Sequence, residues 1–117
     1  GNTANTGNLY QDDDVSFTVD NSCSTSDQEV DALVKQIENE AFSDDQQRVA
    51  NLAADTKCMS TAQIKRVAQS FTFAENQLSF MKAAYDKCVD QGNYYQLMDV
   101  LTFSDDKADL EKYINSK

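Results

Sequence analysis

At 117 residues, with 10 Lys and Arg against 20 Asp and Glu and a net charge of −10, the chain lacks the cation clusters that hold nucleic-acid phosphates or anionic lipid surfaces, so nucleic acid is excluded as a partner. Its composition is 40% hydrophobic with no Pro, no Trp, no His and only 3 Gly, which leaves helices little to interrupt them and disfavours a turn-rich β-sandwich. All-α is the expected class, with a single core burying about two thirds of the unfolded surface and apolar runs too short for a transmembrane segment.

Residues 1–22 are mostly Asn, Thr, Gly, Asp and Ser, a composition that cannot offset its own ordering entropy and reads as a flexible leader. Within it Val15, Phe17 and Val19 alternate with polar residues, the pattern of a short extended arm. Asp12, Asp13, Asp14 and Asp20 offer hard oxygen ligands. No segment has the alternating acids, central Gly and closing Glu of an EF-hand loop, so no metal site is expected. No signal peptide is visible, and a chain opening on Gly1 is expected to have lost an earlier N-terminus that carried any export signal or lipid anchor.

Residues 23–117 are expected to form the helical domain. The first helix should open at Ser26, whose hydroxyl can accept from the free amides of the first turn while Glu29 reaches back, the reciprocal capping box. Val30, Leu33, Val34, Ile37 and Ala41 then mark one face. The same start recurs as Ser43 with Gln46, Ser60 with Gln63, Thr72 with Glu75 and Asn93 with Gln96. The second helix is expected to bury Val49, Leu52 and Ala53, and the third Ile64, Val67, Ala68 and Phe71. The fourth should bury Leu78, Met81, Ala84, Tyr85 and Cys88, and end where Gly92 supplies a left-handed residue. A fifth helix from Asn93 presents Tyr94, Leu97, Met98 and Leu101; a sixth, from Thr102 or Ser104, presents Leu110, Tyr113 and Ile114.

An aromatic-small-acidic signature appears as Phe42-Ser43-Asp44-Asp45, Phe73-Ala74-Glu75 and Phe103-Ser104-Asp105-Asp106, at intervals of 31 and 30 residues. A shift of 30 also places Ile37 on Val67 on Leu97, and Cys58 on Cys88, so the chain reads as three stacked helix pairs. Each signature Phe is expected to be a core and hinge residue, stapled to the residue five later as in Phe73 with Leu78. The expected core is Val34, Ile37, Leu52, Val67, Phe71, Phe73, Phe80, Met81, Leu97, Leu101 and Leu110.

These repeated starts, together with Cys58-Met59-Ser60-Thr61-Ala62-Gln63-Ile64 and with Ala84-Tyr85-Asp86 leading to Asp90-Gln91-Gly92-Asn93-Tyr94-Tyr95, resemble the domain of unknown function 4476 family over about residues 28–115. The Asp-x-Gly-Asn-Tyr-Tyr turn is the most specific of these motifs. The family is seen mainly in exported proteins of Bacteroidetes-type bacteria, and the resemblance implies an extracytoplasmic setting, whether periplasmic, secreted or lipid-anchored. It implies no activity and no cofactor. Ala74, where the other two signatures have Ser, departs from the pattern and is expected to weaken its cap.

With no His, a Ser or Cys nucleophile would need Lys or a carboxylate as its base, so no catalytic constellation is visible and a non-enzyme is expected. Asp44-Asp45 and Asp105-Asp106 read as first-turn acids stabilised by helix dipoles. The densest polar-aromatic group is Asp90, Asn93, Tyr94, Tyr95 and Asp99: either a capped turn with one Tyr buried, or a recognition patch. The three cysteines permit one disulfide and, with no CxxC and no His, no zinc site. All three should lie at one end of the stack. Cys23 with Cys58 is the expected pair if any two join, and Cys58 with Cys88 is its competitor, set about 10 Å apart by the repeat spacing where a bridge needs about 7 Å. The expected function is a non-catalytic module for another protein or an envelope polymer; the alternative is a small-ligand carrier or hydrolase with a pocket between helix pairs.

Overall fold

The α-helices of this chain start in two different ways, and the difference sorts them into two layers. The computed structural model describes residues 23–117, so the leader and the proposed arm at Val15, Phe17 and Val19 lie outside it. Helices make up 75% of the protein described, and no strand occurs among those residues. They are α1 (Asp27–Asn39), α2 (Ser43–Thr56), α3 (Thr61–Ala68), α4 (Ala74–Ala84) with a 3-10 turn at Tyr85–Lys87, a 3-10 helix at Gln91–Val100, and α5 (Ser104–Asn115). The first layer holds α1, α3 and the 3-10 helix, and the second holds α2, α4 and α5. Short connections make each pair antiparallel, so helices within a layer run the same way.

In the first layer Ser26 and Ser60 form complete capping boxes with Glu29 and Gln63. In the second layer the capping residue is the signature Phe, in extended backbone and with no side-chain cap: Phe42, Phe73 and Phe103. The boxes expected at Ser43, Thr72 and Asn93 therefore do not form. Gln46 instead turns inward and donates from Nε2 to the Ile37 carbonyl at 3.2 Å, satisfying the end of α1. Ala74 is the first helical residue rather than the cap, so it costs α4 no cap hydrogen bond.

The repeat register shows in the core, where Ile37, Val67 and Leu97 are each 0% exposed, as are Phe80, Met81 and Leu110. Two expected core residues are outside: Leu52 and Phe73. The face of α2 that packs inward is built from Ala50, Ala53, Ala54 and Gln46, which turns Leu52 to solvent. Exposed ion pairs join neighbours within a layer, Arg66 to Asp31, Lys65 to Asp99 at 3.8 Å and Lys82 to Asp109 at 3.0 Å, and contribute about 0–1 kcal/mol each.

Gly92 is not the left-handed terminator expected of it. Chain direction changes earlier, where Tyr85 N–H donates to the Lys82 carbonyl in the 3-10 turn, and Gly92 sits inside the following 3-10 helix. A Cβ at Gly92 would meet nothing within 4 Å. Gly92→Ala should accordingly raise stability by about 0.4–1 kcal/mol through the unfolded chain's lost freedom. Urea unfolding checks this, and a loss of stability would restore the left-handed reading.

Candidate functional site

The five residues of the polar-aromatic group are placed in four different environments. Asp90 lies between the 3-10 turn and the 3-10 helix, and its Oδ1 accepts from the Thr61 amide at 2.7 Å and the Thr61 hydroxyl at 3.0 Å. Thr61 is the first residue of α3, so this carboxylate of the third repeat occupies an orphan amide at the helix start of the second. Asn93 donates from Nδ2 to Asp90 Oδ2 at 2.9 Å. These bonds, that from Asn93 foremost, hold the Asp90 carboxyl down at about 2 against the opposing effect of burial.

The depressed value fixes the sign of the pH dependence. Asp90 contributes stability fully above its ordinary value of 3.8, and the contribution is lost as pH falls toward 2. The stability difference between the native chain and Asp90→Asn, followed by urea unfolding over that range, should shrink as pH falls. A difference that holds constant would mean that the carboxylate makes no favourable contacts.

Tyr94 is 2% exposed, lies edge-on to Tyr85 with ring centroids 4.9 Å apart, and donates its hydroxyl to the Met81 carbonyl at 2.6 Å. Burial pushes its phenol well above the usual range. As a recognition residue Tyr94 is thus corrected: it is core, because three residues per turn put Tyr94 and Leu97 on one buried face. Tyr95, one residue on, is exposed, and with Gln91, Met98 and Ile114 it lines an open groove of about 250 Å³ against α5. Asp99 points the other way, to Lys65.

Cys23 and Cys58 are joined, with Cα atoms 5.5 Å apart, at the shared end of the stack. Thr25 donates from Oγ1 to the Cys58 carbonyl at 2.9 Å, and Gln63 from Nε2 to the Thr25 carbonyl at 2.8 Å, so polar bonds clasp the same junction. Cys88 is a buried thiol beyond the end of α4, in extended backbone rather than in the helix's last turn. Burial raises its pKa and keeps it protonated, which leaves it a poor nucleophile.

At the opposite end of the stack lies a feature that residue patterning had assigned to the core. Phe42, Phe73 and Phe103 are 70%, 52% and 59% exposed. In each case the Phe carbonyl accepts from the amides three and four residues on, so α2, α4 and α5 begin identically. Parallel packing of α2 on α4 and α4 on α5 brings the three helix starts that carry these rings to one edge of the layer. A hydrophobic staple needs its apolar residue one position before the cap; here Phe is itself the cap, one residue too late to fold back onto the helix. Ser43 and Ser104 are thus the first helical residues of α2 and α5 rather than their caps.

No group of three His, Cys, Asp or Glu positioned to hold a metal occurs among the described residues, and none of the helices there is long and apolar enough to cross a membrane. A protein-family model described as "Domain of unknown function (DUF4476)" matches residues 24–114. No curated protein and no solved structure matches the chain.

Proposed function

Because this chain belongs to the DUF4476 family, a domain of unknown function, we propose its role from its own surface: a non-catalytic module, outside the cytoplasm, that binds another protein through the Phe edge. The observation that carries this reading is the placement of Phe42, Phe73 and Phe103 at cap positions while more than half exposed. Ser, Thr, Asp and Asn are the residues that stabilise a helix start, typically by about 1 kcal/mol over an apolar residue. Three repeats forgo that gain and expose a large ring instead, a local cost of the kind expected where a surface is kept for binding.

The setting rests on the Cys23–Cys58 bond, since disulfides persist in oxidising compartments. A carrier or hydrolase would be supported by an enclosed cavity with convergent polar groups. The hollows along the described surface, of about 250, 310 and 510 Å³, are open to solvent, which favours the binding module.

The test uses the full chain and the triple variant Phe42→Ser, Phe73→Ser, Phe103→Ser as baits in cell-envelope extract. The native chain should recover a reproducible protein partner and the variant should lose it. Equal recovery by both, or turnover in an activity screen, would overturn the reading.

A further inference from the structure

Resting on the Phe edge as a binding surface, we infer that its partner is an extended, cation-bearing protein segment laid across the starts of α2, α4 and α5. The rings do not stand alone. The first turns behind them carry Asp44 and Asp45 in α2, Glu75 in α4, and Asp105 and Asp106 in α5. Against these five carboxylates the first two turns hold two cations, Arg48 and Lys107, and Arg48 already lies 3.7 Å from Asp45. The helix dipoles offset part of this charge, about half a unit at each start, so the edge stays negative.

An exposed ring flanked by carboxylates fits Lys or Arg. The ring face attracts the cation while the neighbouring acid pairs with it, and the ring also covers the long aliphatic stem. Packed helices stand about 10 Å apart, and an extended chain in the polyproline II conformation has three residues per turn and advances about 3.1 Å per residue, so every third residue lies on one face and meets one Phe. Other occupants are disfavoured by charge. A second copy would bring the same carboxylates to the same edge, and residues 1–22 carry four Asp and no Lys or Arg. Anionic lipid is repelled as well.

The probe is a labelled synthetic peptide of about twelve residues with Arg at every third position and Ser and Thr between, compared with its Glu counterpart by fluorescence anisotropy. The Arg peptide should bind the native chain, weaken as salt rises, and lose at least about tenfold in affinity on the triple Phe→Ser variant, whose charge is unchanged. The Glu peptide should not bind. Equal binding of the Arg peptide to native and triple variant overturns the inference, because charge alone then explains it. So does Phe-dependent binding to phosphatidylcholine vesicles with no binding of the Arg peptide, which would make the edge a lipid contact. Neither result touches the extract experiment above, which tests separately whether the edge binds a protein at all.

Discussion

Shortening Phe80 to Ala is expected to cost about 3–5 kcal/mol, because the ring is deleted from a site that cannot collapse. Phe80 is 0% exposed and its ring centroid lies 5.9 Å from that of Phe71. It sits in α4, the helix that packs against α2, α3 and α5, so the cavity would open where three elements meet. Phe73→Ala, at the same helix's cap position, should cost less than about 1 kcal/mol, since the ring is more than half exposed and makes no side-chain cap hydrogen bond to lose. Urea unfolding of the two variants side by side tests the assignment of inside and outside. Equal losses would mean that the cap ring is packed after all.

Removing the disulfide is the second large effect. The bond closes a segment with a sequence separation of 35, which in the chain-entropy account contributes about 3–4 kcal/mol. Thr25, Gln63 and the Cys58 carbonyl hold the same junction by hydrogen bonds, so the native geometry survives its loss and the effect falls mainly on the unfolded chain. The double variant Cys23→Ser, Cys58→Ser, or the native chain under reductant, should therefore unfold at lower urea. Cys88 should react with a thiol reagent only after unfolding, because it is buried. An unchanged midpoint on reduction would show that the junction's polar bonds suffice.

The sequence makes the repeat legible because burial repeats with it: Ile37, Val67 and Leu97 share one register and one environment. Ser26 and Ser60 are readable as caps since each has its Glu or Gln partner three residues on, just before an apolar helical face. The second-layer starts were not readable in that way. Ser43 with Gln46 has the same spacing, but the cap falls one residue earlier, at Phe42, and Gln46 is drawn into the α1 terminus. A one-residue difference in the cap changes a stapled ring into an exposed one.

Which tyrosine of the candidate site is buried was hidden for a related reason. Tyr94 and Tyr95 are adjacent and chemically alike, and only the phase of the helix decides which is core. That helix is 3-10, a type that composition does not announce, and Tyr94 is fixed inward by the carbonyl that the tightened end of α4 leaves at Met81. Leu52 went astray because α2 packs through alanines, which periodicity weights less than the leucine beside them.

The claim on which the functional reading depends is that the signature rings face solvent by placement, not by accident of packing. The most direct measurement is the unfolding free energy of Phe42→Ser, Phe73→Ser and Phe103→Ser, singly and together. Each ring is more than half exposed, so the lost burial is about 1 kcal/mol or less and the gained Ser cap offsets about as much. Each variant should stay within about 1 kcal/mol of the native chain, and the triple variant should fold. A loss of about 3 kcal/mol or more at each site would place the rings in the core and contradict the account.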